Sequence, residues 1–385
     1  MSIRAWKSMW NVIVAVVLLF DCAATAQGQR AGGLTESRYA EAVVASRETV
    51  HAMMKRGGVP GIGVAVVADG EVVWAEGFGL ADLEKQVRVT RETKFAVGSI
   101  SKSLTTALFA HLVDDGLADW GAPVENYLPE FPHKNQRISV RLIAGHASGL
   151  GDQFDTANFY TTKHYASTTE ALREIITEPL RSPPRARHFY TTGSYTIIAG
   201  VIERVARRDF PTAMNDLVLK PLHLKNTVLN IRHSIIPNRT SFYVQDVSGA
   251  TINAPYFDPS FKLAGAGYLS TAEDLARFGA ALQRPGFLKR ATLDELFRPL
   301  ETTVDGKTEF GLGWRVGKDG KGRRIFHQPG GGAGISCRLF LYPDENVAIA
   351  ILTNLTGAPV GGRTSDSIAD AFISAKSSAG QVYGR

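Results

Sequence analysis

Residues 95–102 read Phe95-Ala96-Val97-Gly98-Ser99-Ile100-Ser101-Lys102. Lys94–Val97 has the character of an extended segment, and the period changes at Gly98. Residues 99–115 then form a predicted helix, with Ile100, Leu104, Leu108 and Leu112 along one side and Gly116 as its stop. Ser99 therefore opens a helix, where free backbone amides and the positive end of the helix dipole favour negative charge. The i, i+3 spacing brings Lys102 onto the same face. A serine so placed can lose its proton to a nearby desolvated lysine and act as a nucleophile. Its own backbone amide is available as an oxyanion donor. A Ser-x-x-Lys tetrapeptide is common by chance, however, and serine at a helix start is often only a cap.

Upstream of this stretch, residues 34–56 have helical spacing in Tyr39, Ala42, Val43, Val50, Met53 and Met54, broken by Gly57-Gly58-Val59-Pro60-Gly61. Two β-branched runs follow, Ile62–Val67 and Val72–Phe78, with the hairpin signal Asp69-Gly70 between them. Downstream, residues 139–147 predict a short helix ending at Ser148-Gly149, and Ser194–Arg208 another with Ile197, Ile198, Val201, Ile202 and Val205 on its apolar face. Thr271-Ala272-Glu273-Asp274 resembles a capping box ahead of Leu275, Phe278 and Leu282. Strand patterns return at Phe310–Val316, Arg324–His327, Ile335–Tyr342 and Val347–Thr353, and Ser365–Ala375 predicts a closing helix. Strands at both ends and helices in the middle give an α+β fold: one antiparallel sheet from both chain ends, flanked by helices, with an inserted, mostly helical region. Residues 27–98 and 300–385 form the sheet lobe of this reading and 99–299 the helical lobe.

The 385 residues are 44% hydrophobic and 21% charged, enough apolar material for a large core. The net charge of +6 is scattered, with small groupings at Arg204/Arg207/Arg208 and Lys318–Arg324. No zinc-finger spacing or aromatic-basic motif accompanies them, so nucleic acid is not an expected partner. At the start, Arg4 and Lys7 precede an apolar run from Met9 to Phe20, and Ala24-Thr25-Ala26 supplies small residues. This is the pattern of a secretory signal peptide cleaved after Ala26, with a lipoprotein signal at Cys22 disfavoured by Asp21. A periplasmic or secreted protein with no stable membrane anchor is expected. Removal of Cys22 leaves Cys337, in an apolar strand, as a buried structural thiol with no disulfide partner.

The stretch 95–102 resembles the nucleophile motif of the serine β-lactamase and penicillin-binding-protein superfamily, most closely its class C, esterase-like branch. The likeness continues in order along the chain. Asp114-Asp115-Gly116-Leu117 and Tyr127-Leu128-Pro129-Glu130-Phe131 look like the segment after the nucleophile helix. Residues 138–150, ending His146-Ala147-Ser148-Gly149-Leu150, resemble the helix that ends in a His-Thr-Ser-Gly-Leu run. Phe189-Tyr190-Thr191-Thr192-Gly193-Ser194-Tyr195 falls where the family carries Tyr-Ser-Asn. Gly265-Ala266-Gly267-Tyr268 and Phe310-Gly311-Leu312-Gly313-Trp314 match later landmarks.

The resemblance implies a β-lactamase/transpeptidase-like fold over about residues 40–375. It further implies a serine hydrolase that needs no cofactor or metal. Ser99 attacks an ester or amide carbonyl, aided by Lys102 and by Tyr190, whose phenol can pass a proton to the leaving group. Thr192 stands where the family has an asparagine that binds the substrate's amide carbonyl, and a hydroxyl cannot copy both functions of that amide. The third motif, Phe326-His327-Gln328-Pro329-Gly330-Gly331-Gly332, stands where relatives have Lys-Thr-Gly or His-x-Gly. Two registers are open, His327-Gln328-Pro329 and Gln328-Pro329-Gly330. Either way the lysine that grips a substrate carboxylate is missing, which favours esters over β-lactams and carboxylate-ended peptides. His327 can polarise the site or bind a carbonyl, and Gly330 or Gly331 is the expected second oxyanion amide.

A β-lactamase, a D-Ala-D-Ala carboxypeptidase or a D-aminopeptidase is the alternative within this class. A non-catalytic cell-wall-binding protein is the alternative outside it. His146, late in a short helix before Ser-Gly, reads as a cap or dipole partner and not as a catalytic base. Neither a Gly-x-Ser-x-Gly elbow nor a His-Glu-x-x-His helix occurs, so α/β-hydrolase and zinc-protease chemistry lack support.

Overall fold

Two runs of the chain are apolar at every position, and they form the middle of the sheet. The computed structural model describes residues 38–132, 136–151, 160–177 and 179–382; the expected leader 1–26, with Cys22, lies outside them. Strand β1 (Gly61–Ala68) is buried throughout and pairs antiparallel with β2 (Glu71–Asp82) on one side and β7 (Val347–Thr353) on the other. The short β3 (Val87–Arg88), β4 (Arg315–Lys318), β5 (Arg324–Gly332) and β6 (Ile335–Tyr342) complete a seven-stranded sheet in the order β4-β5-β6-β7-β1-β2-β3. All its ladders are antiparallel. The sheet is thus closed from both ends of the chain, and the fold is α+β.

A strand with no polar face must be covered on both sides, and this sheet is. Ile62, Val64, Val66, Val347, Ile349 and Ile351 face a layer formed by α1 (38–57) and α6 (Arg363–Val382), which contribute Val50, Met53, Ile368 and Phe372. Ala65, Val67, Ala348, Ala350 and Leu352 face the helical region, with α5 (Ala272–Ala281) packed directly on β1 and β7.

At the centre of that region lies α2 (Ile100–Asp114). The sequence suggested one apolar side, but the structure buries almost every residue from Ile100 to Leu112, including Ser101, Lys102, Ser103, Thr105 and Thr106. The other helices surround it, among them α3 (Val140–Ala144) and α4 (Tyr195–Ala206). Its buried hydroxyls are satisfied by neighbouring backbone, as burial requires. Ser103 Oγ donates to the Gly313 carbonyl at 2.8 Å and Thr105 Oγ1 to that of Ala264 at 2.7 Å.

Element boundaries differ from expectation at three places that shape the site. The helix predicted over 139–147 stops at Ala144, because Gly145 ends it and His146 turns to φ +62°. The strand predicted over Phe310–Val316 starts only at Arg315. Gly311 N–H bonds to the Trp314 carbonyl in a turn instead, and Gly313, at φ +77°, lies so close to α2 that a Cβ there would sit 2.6 Å from Thr106 Oγ1. Finally, β5 runs on past His327 through Pro329 to Gly332. β4 covers only Arg324–His327, so the outer edge of Gln328–Gly332 has no strand beside it among the described residues. Proline, which lacks an N–H to donate, is suited to such an edge.

Candidate active site

The approach to Ser99 is fixed by a three-stranded sheet inside the helical region. Phe95–Ala96 pairs with Tyr268–Ser270, which pairs in turn with Val228–Leu229. Val97 N–H bonds to the Tyr268 carbonyl at 3.0 Å. The chain then turns through Gly98 at φ +50°, a conformation that favours glycine. Space demands glycine as well, since a Cβ on Gly98 would lie 2.9 Å from the backbone N and O of Gly331. Ser99 is the N-cap of α2 and makes no side-chain capping bond. Its hydroxyl is occupied otherwise.

Lys102 Nζ lies 3.1 Å from Ser99 Oγ, 3.0 Å from Thr192 Oγ1 and 3.1 Å from the Gly265 carbonyl. The Gly265 carbonyl can only accept from the amine, whereas the two hydroxyls can accept from it or donate to it. All are neutral, and Lys102 is fully buried with no carboxylate at ion-pair distance among the described residues. The Gly265-Ala266-Gly267 landmark thus has a physical role. Its first carbonyl anchors the lysine, and a Cβ on Gly265 would sit 2.6 Å from the Thr192 carbonyl.

Two tyrosine rings flank this lysine, Tyr190 at 4.8 Å and Tyr195 at 5.3 Å from Nζ to ring centroid. They are not equivalent. Tyr195 is fully buried and donates its hydroxyl to the Ala144 carbonyl at 2.7 Å. Burial, and then neighbouring Tyr190, push its ionisation well above the ordinary phenol range. Tyr190 is 38% exposed and faces the cleft, so it is the phenol within reach of a substrate.

His146 holds that tyrosine in place. Its ring lies 4.3 Å from the Tyr190 ring, and its Nδ1 accepts the Thr191 N–H at 3.2 Å. Its carbonyl accepts the Phe189 N–H at 2.8 Å, so the segment around Tyr190 is tied down on both sides. Burial, then Lys102, His188 and Arg315, hold this imidazole well below its ordinary range. A neutral ring is what the acceptor role of Nδ1 requires. His146 is therefore a positioning residue and not the helix cap that its sequence position suggested.

The opposite wall is β5. A Cβ on Gly330 would lie 2.0 Å from the Val97 carbonyl, so this strand runs in contact with the nucleophile turn. Gln328 is buried and its Nε2 donates to the Ser99 carbonyl at 3.2 Å. Alternation along β5 therefore places Gln328 and Gly330 toward Ser99 and His327 on the other face. His327 stands opposite Phe340 in the ladder and its ring stacks on it at 5.7 Å, in the layer beneath α1 and α6. The structure thus does not bring the His327 side chain to the serine, and the glycine-matched register Gln328-Pro329-Gly330 is the one that faces it. Burial, then Arg338 and Arg315, hold His327 down at about 4.

Ser99, Tyr190, Thr192, Gly330 and Gly331 line one open cleft of about 480 Å³. Cys337 lies beneath Gly330 and donates to the Ala96 carbonyl at 3.2 Å. Burial pushes its thiol up to about 12, so it supplies no thiolate. Two further residues line the cleft that sequence reasoning passed over, Arg315 and Arg338. A charged residue in the middle of the apolar strand Ile335–Tyr342 was the signal for the second.

A serine and a lysine without a carboxylate partner, at the head of a buried helix facing a free sheet edge, define the class: serine hydrolases of the β-lactamase and penicillin-binding-protein type. The sequence model of the family described as Beta-lactamase matches residues 47–372, and the chain belongs to that family. It is 28% identical to the human serine beta-lactamase-like protein LACTB, mitochondrial, over 80% of this chain and 73% of that protein. Protein flp of Staphylococcus aureus (strain MW2) is 22% identical, over 78% of this chain and 61% of the relative. Among solved structures, the D-amino acid amidase from Ochrobactrum anthropi SV3 superposes with a TM-score of 0.75 at 20% identity, covering 88% of this chain and 99% of that one. EstCE1, a hydrolase with promiscuous acyltransferase activity, gives 0.71 at 20% identity, covering 86% and 98%. These structural likenesses establish a shared fold.

Proposed function

We propose that this chain is an exported serine acyl hydrolase that cleaves esters in preference to lactams, with Ser99 as nucleophile. The observation that carries the reading is the 3.1 Å contact between Lys102 Nζ and Ser99 Oγ, in a buried site with only neutral partners around the lysine. Ser99 Oγ attacks the carbonyl carbon while its proton passes to the Lys102–Tyr190 pair. The oxyanion is held by the Ser99 N–H, which the start of a helix leaves without an intrahelical partner, and by an N–H of the Gly330–Gly331 backbone. Collapse expels the alcohol or amine, which takes the proton by way of Tyr190. Water then attacks the acyl-enzyme carbonyl, giving its proton back to the serine as the acid leaves.

Preference for esters rests on Thr192, which bonds to Lys102 where a peptide-gripping amide is expected, and on the absence of a lysine from β5. A fluorophosphonate probe tests the nucleophile: it labels the wild type and not Ser99→Ala. Equal labelling of both, or labelling of neither, overturns the hydrolase reading in favour of a non-catalytic wall-binding role. Hydrolysis of p-nitrophenyl butyrate against nitrocefin tests the preference, and strong nitrocefin turnover with negligible ester cleavage reverses it. Export rests on the Met1–Ala26 pattern. Mass spectrometry of the protein from its native host should find an N-terminus at Gln27; a lipid-modified Cys22 or an intact Met1 overturns that assignment.

A further inference from the structure

A second cavity, of about 540 Å³, opens beside the strands that lead into Ser99 and shares no residue with the catalytic cleft. That volume is ordinary for a small-molecule site. Leu219, Val228, Leu229, Ile231 and Ile236 make its walls apolar, and Ile235, almost wholly in solvent, stands at its rim. Into these walls the fold sets a cation. Lys94 lines the cavity at only 8% exposure, and among the described residues its Nζ bonds to the Pro237 carbonyl alone, at 3.3 Å. Lys225, on the surface, lines the same cavity, and neither lysine has a described carboxylate at ion-pair distance. Tyr268 lines it too, with its hydroxyl buried and without a partner among the described residues. Burial pushes the ionisation of that phenol far above its ordinary range, so it stays a hydrogen-bond donor.

The backbone of Tyr268 brackets the nucleophile. Its carbonyl accepts the Val97 N–H at 3.0 Å, and its N–H donates to Ser101 Oγ at 3.2 Å, two residues to either side of Ser99. Asn230, between the wall residues Leu229 and Ile231, donates its N–H to the Gly267 carbonyl at 2.8 Å. Two residues earlier, the Gly265 carbonyl holds Lys102 Nζ. The segment 265–268 therefore touches the cavity wall and the Ser99–Lys102 pair at once. A ligand that settles against this wall acts on the backbone that sets the catalytic contact, which is what coupling between two sites requires.

A buried lysine with one carbonyl for company is costly, and an arriving anion offsets that cost. Apolar walls beside it call for a hydrocarbon chain on the same ligand. We propose that this cavity is an effector site for an alkyl carboxylate, its headgroup at Lys94 and Lys225 and its chain along the apolar walls, and that filling it changes turnover at Ser99. The acids that ester cleavage releases belong to this ligand class. The coupling rests on Ser99 as nucleophile; the binding does not.

The probes are octanoate, octan-1-ol and acetate, titrated calorimetrically into the wild type. Octanoate binds about tenfold tighter than either of the others, since one lacks the charge and the other the chain. Lys94→Met weakens octanoate about tenfold to a hundredfold, the loss expected for a hydrogen bond to a charged group, and leaves octan-1-ol unchanged. Ser234→Trp, which fills the cavity from a half-buried lining position, weakens both. Arg204→Gln, which removes a surface cation paired with Glu130, weakens neither. Should Lys94→Met fail to fold, Lys225→Met serves in its place. With p-nitrophenyl acetate as substrate, saturating octanoate changes the wild-type kcat about fivefold and leaves that of Ser234→Trp where it was. Octanoate binding that competes with the ester and is untouched by both cavity variants is product in the Ser99 cleft, and overturns the site. Equal affinity for octanoate and octan-1-ol overturns it as well. Binding lost in both variants while the wild-type kcat stays fixed keeps the site and overturns the coupling. The same variant-sensitive binding in a wild type that cleaves no ester keeps the site and removes the hydrolase reading.

Discussion

The two walls of the cleft are built on opposite principles. On the helical wall the polar groups are held in place: Lys102 by three neighbours, Tyr195 by the Ala144 carbonyl, and the Tyr190 segment by His146. On the strand wall the backbone is bare over Gly330–Gly331, and the buried Nε of Arg315 has no partner among the described residues. A proton-transfer site must hold its atoms before the substrate arrives, because misplacement costs rate. A recognition surface can leave charges unmatched until a ligand completes them. The difference therefore separates the part of the cleft that does chemistry from the part that selects.

That contrast predicts a graded series of effects. Removing the nucleophile is the most severe test, and Ser99→Ala should lower kcat/KM on any ester by about 10⁴-fold or more. Lys102→Met should cost about 10³-fold, and Lys102→Arg should not restore activity, because a planar fork cannot occupy a pocket of three convergent neighbours. Steady-state assays on purified, folded variants measure both.

The tyrosine pair sharpens the division within the helical wall. Tyr190→Phe should lower kcat about 10²-fold with little change in melting temperature. Tyr195→Phe should do the reverse, costing about 0.5–1.5 kcal/mol by removing one of the two hydrogen bonds to the buried Ala144 carbonyl, which keeps the Gly313 N–H. If Tyr195→Phe proves the more damaging to kcat, the roles assigned to the two phenols must be exchanged. On the strand wall, Gly330→Ala must displace the Val97 carbonyl, which an added Cβ would approach to 2.0 Å, and should cost about 1–3 kcal/mol in denaturant unfolding.

A further effect concerns pH and stability. His327 is held at about 4 in the folded protein, below the ordinary imidazole value of 6.5. The unfolded chain therefore binds the proton first. The stability that His327 contributes is complete above pH 6.5 and is lost as pH falls toward 4, by up to about 3 kcal/mol. Urea titrations at pH 7 and pH 4.5 should show a smaller acid loss in His327→Gln than in the wild type. An identical loss would show that the ring is not kept neutral by its burial.

Much of this was legible in the residues themselves. The runs Ile62–Val67 and Val347–Thr353 announced strands, because their residues are apolar and largely β-branched. Ser99 and Lys102 announced a helix-start pair through spacing alone, and the ordered motifs from Phe95 to Trp314 added the family resemblance. What misled was the third motif. A proline and three glycines look like a loop, so His327 and Gln328 had equal claim to face the serine.

Only the continuation of β5 through Pro329 to Gly332 decided between them, since a strand turns each successive side chain to the opposite face. The same holds for His146, whose left-handed turn was invisible in the sequence and which reaches the Thr191 amide 45 residues away. Arg315 and Arg338 meet in one cleft only because β4, β5 and β6 stack in that order. Local sequence determined which segments are strand or helix and where a nucleophile could sit, because periodicity and spacing act between near neighbours. Tertiary structure alone decided which faces meet across the cleft, because register, burial and the convergence of charge depend on residues far apart in the chain.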